Sequence, residues 1–377
     1  MQIILAPDKF RGSLTASQAC EAMAAGIREA LPKAIIHSLP LSDGGEGFLE
    51  TLVQATHGSL HPITCHDPLM RKIEACYGIS GDGQTAFIEM ATVSGLALLK
   101  PEEYQAMQTS TYGTGELLKA TIKAGVKKVI LGIGGSATTD GGIGMAQALG
   151  WQFFDKNDQL VEAKGASLST IHRIESPANP SDVELIIASD VTAPLFGPSG
   201  AAYVYGPQKG ASPEEVKSLD KGLRNLATRI AEKGLGISSL AEVPGAGAAG
   251  GLGFGLMAFA GATIRPGAEL VMELTGFQNA LSNADLILTG EGKLDEQSLQ
   301  GKLIGRICQE AQKRQIPVLA LCGTLAAKPA QLKAMGLTYA ASILRSPVSL
   351  EEALQTAAER LREASFWAVH LYCVGKN

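Results

Sequence analysis

No CxxC pair occurs among the six cysteines, which are spread from Cys20 to Cys373, so the chain specifies neither a zinc ribbon nor a disulfide framework. A reducing cytoplasm suits that usage. The amino terminus, MQIILAPDKFRGS, has no basic n-region and no long apolar run, so an export signal is not expected. Charge of one sign is also scarce. With 32 basic and 37 acidic residues the net charge is −5, and no basic run exists to wrap nucleic acid. Small molecules or proteins are the expected partners. The six histidines include no HExxH spacing, no GxSxG is present, and no GxxxxGK[ST] is present. These absences remove a zinc hydrolase, a serine hydrolase and a Walker A nucleotide site from consideration.

One stretch has too little charge. Between Glu242 and Arg265 no residue is charged, and Gly247, Gly251 and Gly255 stand at GxxxG spacing. However, residues 245–264 include seven glycines, and their strongly apolar members are only Leu252, Phe254, Leu256, Met257, Phe259 and Ile264. A buried glycine-rich segment of a globular protein is therefore expected, and no membrane span.

What the chain has in excess is glycine. Forty-four glycines in 377 residues is about 12%, against an ordinary ~7%, yet Gly and Pro together stay well below low complexity. The surplus must serve folded backbone, in tight turns or in close approach to a ligand. Hydrophobic content of 45% with 18% charged residues is ordinary for a globular protein, and the length suggests roughly two domains.

Alternation of short apolar strands and helices organises both ends. Ile3–Ala6 reads as a buried strand, Thr15 and Gln18 form a capping box, and a second strand over about 34–41 leads through Ser42-Asp43-Gly44-Gly45-Glu46-Gly47 into a helix. Near 60–99 three short strands follow one another without helices, which signals an insertion. Alternation returns with a helix near 114–124 and strands at 128–133 and 183–189. A helix opens at Ser212-Pro213. Toward the end come strands at 286–289, 317–322 and 339–344, with helices near 299–313 and after Ser349. The fold class predicted is α/β with two α/β domains: a Rossmann-like parallel-sheet domain formed by both chain ends, 1–64 and 284–377, with a second α/β domain, 65–283, inserted. Two consecutive domains are the alternative arrangement.

In an open α/β sheet, ligands bind beyond the carboxyl ends of the strands. Asp8, Asp43, Asp190 and Glu291 each follow a predicted strand. Three of them stand beside glycine or lysine, in Asp8-Lys9, in the run after Asp43, and in Glu291-Gly292-Lys293-Leu294-Asp295. That company suits Mg²⁺ and phosphate, because carboxylates hold the hard cation while ammonium and backbone N–H groups neutralise the transferred group. Each acid alone could equally be an N-cap or a turn residue. Gly132-Ile133-Gly134-Gly135-Ser136 also follows a strand, and it is either an anion cradle or a tight structural turn. Gly245-Ala246-Gly247-Ala248-Ala249-Gly250 fits GxGxxG, but Glu242-Val243-Pro244 supplies no strand, so a dinucleotide fingerprint is disfavoured. It is read as a phosphate loop or as close helix packing. Lys9, Arg11, Arg71, Lys209, Lys293 and Lys302 all lie in or beside glycine-containing turns.

Seven segments in order carry a likeness to a known family: APDKFRGSLTA at 6–16, SDGGEG at 42–47, HDPLMRKIEACYGI at 66–79, IGGSATTDGGIG at 133–144, YGPQKGA at 205–211, GAGAAGGLGFG at 245–255, and TGEGKLDEQSLQGK at 289–302. Together they resemble the bacterial type I glycerate kinase family over essentially the whole chain. The resemblance implies ATP-dependent phosphorylation of D-glycerate with Mg²⁺, in a cleft between two α/β domains. It leans toward 2-phosphoglycerate, with 3-phosphoglycerate the other outcome. Arg11 stands where the family often has Lys, Thr139 where it often has Asn, and Ser189 and Ala193 where it often has Cys and Asn.

Residue roles rest on the chemistry of the residues themselves. Asp190, ending a buried strand, is the expected base, with Asp43 a second catalytic candidate toward substrate or metal. Asp8, Lys9, Arg11 and Arg71 are assigned to substrate, with metal the other reading of Asp8. Gly134, Gly135, Ser136, Gly247, Gly250, Lys293 and Lys302 are assigned to nucleotide phosphate. Glu291 and Asp295, four apart, are assigned to one shared Mg²⁺ if the turn folds back. A non-catalytic binding protein for a small hydroxy acid, and an NAD-linked oxidoreductase using the Gly245 loop, are the competing functional classes. Oligomeric state is not legible.

Overall fold

The computed structural model describes residues 1–178, 182–234, 239–295 and 303–375. By contact the chain divides into two units, residues 1–43 with 268–377 and residues 44–267. The first strands are β1 (Gln2–Leu5), β2 (Ile35–Ser38), β3 (Ser59–His66), β4 (Lys72–Ile79) and β5 (Thr85–Glu89). Then follow β6 (Lys128–Gly132), β7 (Gln152–Phe154), β8 (Arg173–Glu175), β9 (Glu184–Ala188) and β10 (Thr263–Arg265). The last are β11 (Leu286–Leu294), β12 (Val318–Leu325) and β13 (Tyr339–Ser342).

The unit built from the chain ends is one sheet in the order β13-β12-β11-β1-β2, with every neighbouring pair parallel. Its central strands are apolar on both sides, as a sheet covered on both faces requires. Ile3, Leu5, Leu286, Leu288, Leu319 and Leu321 share a core with Met23, Ile27, Leu361 and Val369. Ile4 and Ile287 alternate to the opposite face, and the helix Leu303–Gln312 packs on β11 outside that core. The expected start of this helix near 299 lies outside the described residues.

The helix Ala16–Ala30 begins at the predicted box: Thr15 Oγ1 accepts from Gln18 N at 3.2 Å, and the Gln18 side chain accepts from Thr15 N at 2.9 Å. It lies against the final helix, Ala357–Val374, which is how the two chain ends form one unit. Contact is backbone-close at Gly26, where an added Cβ would stand 2.0 Å from Arg362 O.

The second unit holds the sheet β10-β9-β6-β5-β4-β3, parallel from β10 to β5 and antiparallel from β5 to β3, with β7 and β8 a separate hairpin. The strands expected over 60–99 are therefore the antiparallel flank of this sheet. The unit boundary falls at 43/44 rather than the expected 64/65, because the helix Phe48–Ala55 packs on β4 and β5. The second boundary falls at 267/268 rather than 283/284, and Glu269 pairs with Arg306 at 2.8 Å within the first unit. β10 and the β7–β8 hairpin escape sequence reading because three-residue strands carry no usable period. The uncharged stretch forms the helical segment Ala248–Ala260, kinked where Ala249, Gly250 and Gly251 have left-handed backbone, and leads into β10. No helix among the described residues is long and apolar enough to cross a membrane.

Gly26→Ala tests the pairing of the two terminal helices. Helix propensity alone favours alanine by roughly 0.8–1.0 kcal/mol, whereas the backbone contact opposes it. We expect a net loss of stability of ~2 kcal/mol or more in denaturant unfolding. A neutral or stabilised variant would show that the helices part freely.

Candidate active site

In the unit formed by the chain ends, the strand order reverses between β1 and β11, since β2 follows on one side of β1 and β11 on the other. Such a reversal point opens a crevice at the carboxyl ends of the strands. Three bonds fix those ends: Asp8 N donates to Gly290 O at 2.8 Å, Leu41 N to Pro7 O at 3.0 Å, and Thr289 Oγ1 to Ala6 O at 2.8 Å. Asp8, Asp43 and Glu291 are the acids on these neighbouring strand ends. Asp8 is half-buried, and its Oδ1 accepts from Lys9 N at 2.7 Å. Burial, and then the negative charges of Asp43 and Glu291, push its carboxyl up to about 8, only partly offset by Lys9. Three acids predicted separately are thus brought together.

Arg11 lies in the exposed turn between Phe10 and Leu14, where Phe10 N donates to Leu14 O at 2.9 Å. A Cβ on Gly292 would meet Arg11 N at 3.1 Å, so this turn packs on β11 beside Glu291. The expected return of the chain between Glu291 and Asp295 does not occur. β11 stays extended through Leu294, which spaces residues four apart by about 13 Å, and Asp295 instead pairs with Lys293 at 2.9 Å. One cation shared by Glu291 and Asp295 is excluded on that spacing. Lys302 lies outside the described residues.

No group of three or more acid, histidine or cysteine side chains among the described residues forms a ready-made metal cage. Mg²⁺ does not need one. It commonly takes one or two carboxylates and completes its shell with water and substrate phosphates. A carboxyl whose proton affinity is raised by burial and by neighbouring acids, as that of Asp8 is by Asp43 and Glu291, suits such an ion.

In the second unit, four loops meet at the carboxyl ends of β6 and β9. Gly134 N donates to Gly44 O at 3.3 Å, Gly247 N to Ala193 O at 2.9 Å, and Gly141 N to Gly250 O at 3.1 Å. A Cβ on Gly44 would stand 2.9 Å from Ala188 O, and one on Gly134 would stand 2.8 Å from Gly45 Cα. Asp190 follows β9, and its Oδ1 accepts from Gly267 N at 3.1 Å, so its carboxylate is oriented by backbone.

The glycines of the two predicted phosphate loops do different work. At Gly247 a Cβ would meet Pro194 O at 2.2 Å, and at Gly250 it would meet Thr138 O at 2.0 Å. Both are backbone-on-backbone contacts, which supply the close-packing reading of the Gly245 segment. Gly135 is exposed, with φ +76°, and a Cβ there would meet only Ala91 Cβ, at 3.5 Å. Leu96 N donates to Gly135 O at 2.9 Å and Ala137 N to Ser94 O at 2.9 Å. This ladder leaves the N–H groups of Gly135 and Ser136 outside it. Arg71 sits between β3 and β4, with Nε on Asp67 and Nη1 on Glu103, both at 2.6 Å. Its guanidinium is therefore committed to fastening this connection, which the sequence did not reveal.

Two further residues were not singled out for a site role. Asp140 is fully buried and accepts from Thr111 N and Oγ1 at 2.8 Å each, Gly142 N at 3.0 Å and Gly144 N at 3.2 Å. The signal was available as Thr-Asp-Gly-Gly before a helix, an N-cap pattern. Lys209 is 1% exposed; its Nζ donates to Ser136 Oγ at 2.7 Å and to Thr138 O at 2.5 Å. Burial pushes this ammonium down to about 7 although Asp140 pulls it up. The hydroxyls of Thr138 and Thr139 are buried and have no hydrogen-bond partner among the described residues. Leaving buried hydroxyls unmatched costs about 1–3 kcal/mol each, so this loop is not shaped for stability alone.

Three variants follow from this geometry. Asp8 keeps its proton in the folded state up to about pH 8 but loses it near 4 when unfolded. Its contribution to stability is therefore present at acid pH and lost as pH rises through 8. Asp8→Asn, which cannot ionise, is expected to gain stability relative to the wild type as pH rises from about 4 to 8, read by thermal melting across pH; parallel melting curves would contradict the raised proton affinity of Asp8. Gly250→Ala is expected to lose ~3 kcal/mol or more, against ~1–2 kcal/mol for Gly135→Ala, where only the left-handed backbone is penalised. Equal losses in urea unfolding would contradict the packing assigned to Gly250.

A family model described as the glycerate kinase family matches residues 3–372. A protein of Halalkalibacterium halodurans named glycerate kinase is 42% identical over 366 residues, covering 96% of both chains. One of Escherichia coli K12 named glycerate 2-kinase is 40% identical over 368 residues, covering 97% of this chain and 96% of its own. A crystal structure of a Salmonella typhimurium LT2 relative has a TM-score of 0.87 at 38% identity, covering 100% of this chain and 99% of its own.

Proposed function

The chain belongs to the glycerate kinase family, phosphotransferases acting on an alcohol group, and from that premise we propose that it transfers the γ-phosphoryl group of ATP to the 2-hydroxyl of D-glycerate with Mg²⁺. The observation that carries the reading is the convergence of Asp8, Asp43 and Glu291 at the reversal point of a parallel sheet. The name of the Escherichia coli relative, glycerate 2-kinase, supports the 2-hydroxyl over the 3-hydroxyl.

Phosphoryl transfer asks the protein mainly for positioning and for neutralisation of charge. Glu291 and Asp8, beside Asp43, would hold Mg²⁺, which supplies charge neutralisation at the phosphate oxygens when bound. Cation binding would also draw the proton from Asp8. Lys9 and Arg11, on the same strand ends, offer positive charge to the glycerate carboxylate. Exposed Gly135, with the Ser136 N–H, offers backbone donors to an anionic group. Asp190, oriented by Gly267 N, is the acid assigned to deprotonate or orient the hydroxyl, and a positioned base of this kind is worth roughly 10²–10⁴ in rate.

Phosphorus NMR of the product from ATP, Mg²⁺ and D-glycerate tests the reaction: 2-phosphoglycerate and ADP are expected. Absence of ADP would favour a hydroxy-acid binding protein, and 3-phosphoglycerate would correct the position. Among variants, Asp190→Asn is expected to lose turnover by roughly 10²–10⁴ at every Mg²⁺ concentration, with little change in KM. Glu291→Gln is expected to recover in part at high Mg²⁺. The reverse pattern in a magnesium titration would exchange the two roles.

A further inference from the structure

The buried ammonium of Lys209 plays no part in the mechanism above, although it touches the loop that mechanism uses. It comes from the 3₁₀ turn Pro207–Lys209, more than sixty residues along the chain from Ser136. That turn is itself held: Lys209 N donates to Gly206 O at 3.0 Å, and Ala106 N to Lys209 O at 3.1 Å. A Cβ on Gly210, at φ +86°, would stand 2.2 Å from Tyr104 O. The lysine therefore enters from a fixed base.

In the Lys209–Ser136 contact Nζ donates and the Ser136 oxygen accepts, as it must whenever the lysine is protonated. The hydroxyl hydrogen of Ser136 is then available to another acceptor, and its oxygen is polarised by the positive charge behind it. The second bond, to Thr138 O, fixes the same loop two residues further on. Asp140, held by four donors, is the acid whose negative charge acts on the lysine. Lys209 is too buried to reach a ligand itself, which separates it from the surface lysines of the glycine turns.

We propose that Lys209 is a positioning residue that turns the Ser136 hydroxyl outward as a hydrogen-bond donor to an anionic oxygen of a substrate, either a nucleotide phosphate or the glycerate carboxylate. The inference rests on the kinase reading for its assay but not for its geometry. A structural peg would set only how much protein folds; a positioning residue acts through Ser136 on the binding of one substrate.

The test compares Ser136→Ala, Ser136→Thr, Lys209→Met and the Ser136→Ala/Lys209→Met double variant. Separate KM values for ATP and for glycerate are measured, with melting temperature alongside. We expect Ser136→Ala and Lys209→Met each to raise the KM of the same substrate five- to twentyfold, with Ser136→Thr near the wild type. In the Ser136→Ala background, Lys209→Met is expected to add less than twofold. Whichever KM moves identifies phosphate or carboxylate. The proposal is overturned if Lys209→Met lowers melting temperature and turnover with both KM values unchanged. An undiminished effect in the Ser136→Ala background overturns it as well. Should Lys209→Met fail to fold, Ser136→Ala decides: unchanged KM values overturn the proposal, and a raised KM restored by Ser136→Thr supports it. A wild type that makes no ADP would sink the kinase reading alone. Calorimetric titration of ATP and of glycerate into wild type and Ser136→Ala would then decide the inference, with equal affinities overturning it.

Discussion

Acids gathered at adjoining strand ends are the constraint on which the unit formed by the chain ends depends. Asp8, Asp43 and Glu291 are not placed there by packing. They are placed by the parallel order β11-β1-β2, which lines up three carboxyl ends, and by backbone bonds such as Asp8 N to Gly290 O. Burial first, and then the neighbouring acids, raise the Asp8 proton affinity, and that cost is borne by an apolar sheet whose central strands have Ile3, Leu5, Leu286 and Leu288 buried. Acids crowded in this way are weak evidence for stability and better evidence for a task involving positive charge.

The second unit meets the complementary requirement with backbone. Its glycine segments pack so closely that carbonyl oxygens occupy the space where side chains would stand, as at Gly247 and Gly250. That packing braces one loop, Gly134–Ser136, from which donors can face outward. Lys209 and Asp140 are both buried behind the same loop, so its shape is held by hydrogen bonds to their side chains and to backbone rather than by apolar filling. Buried ionisable groups of this kind seldom add stability beyond what an apolar replacement would give; their use lies in specifying one conformation.

Much of this was legible from sequence. Period and capping chemistry located the helices at Thr15 and Ser212 and the parallel strands at Ile3, Lys128, Glu184 and Leu286. Strand-end acids were also legible, because ligand chemistry in α/β sheets concentrates there. What could not be read was tertiary. Whether Glu291-Gly292-Lys293 turns or runs straight is decided by pairing with β12, through Lys293 to Thr324 and Leu294 to Leu325. The commitment of Arg71 to Asp67 and Glu103 depends on a residue more than thirty positions away. Lys209 looked like one more cation in a glycine turn, since nothing local distinguishes a buried ammonium from a solvated one. The GxGxxG segment shows the same limit: a pattern of glycines marks close approach of backbone, but not to what.

The central claim is that the crowded acids are held for a cation, and proton release on metal binding reads it most directly. Mg²⁺ would be titrated calorimetrically into the ATP-saturated protein near pH 7.5, in buffers of different ionisation enthalpy, for the wild type and for Asp8→Asn. The account predicts that the wild type releases more protons per Mg²⁺ bound than Asp8→Asn, because the ion displaces the proton that burial and the neighbouring acids keep on Asp8. Equal release from the two proteins, with Mg²⁺ bound to both, would contradict it.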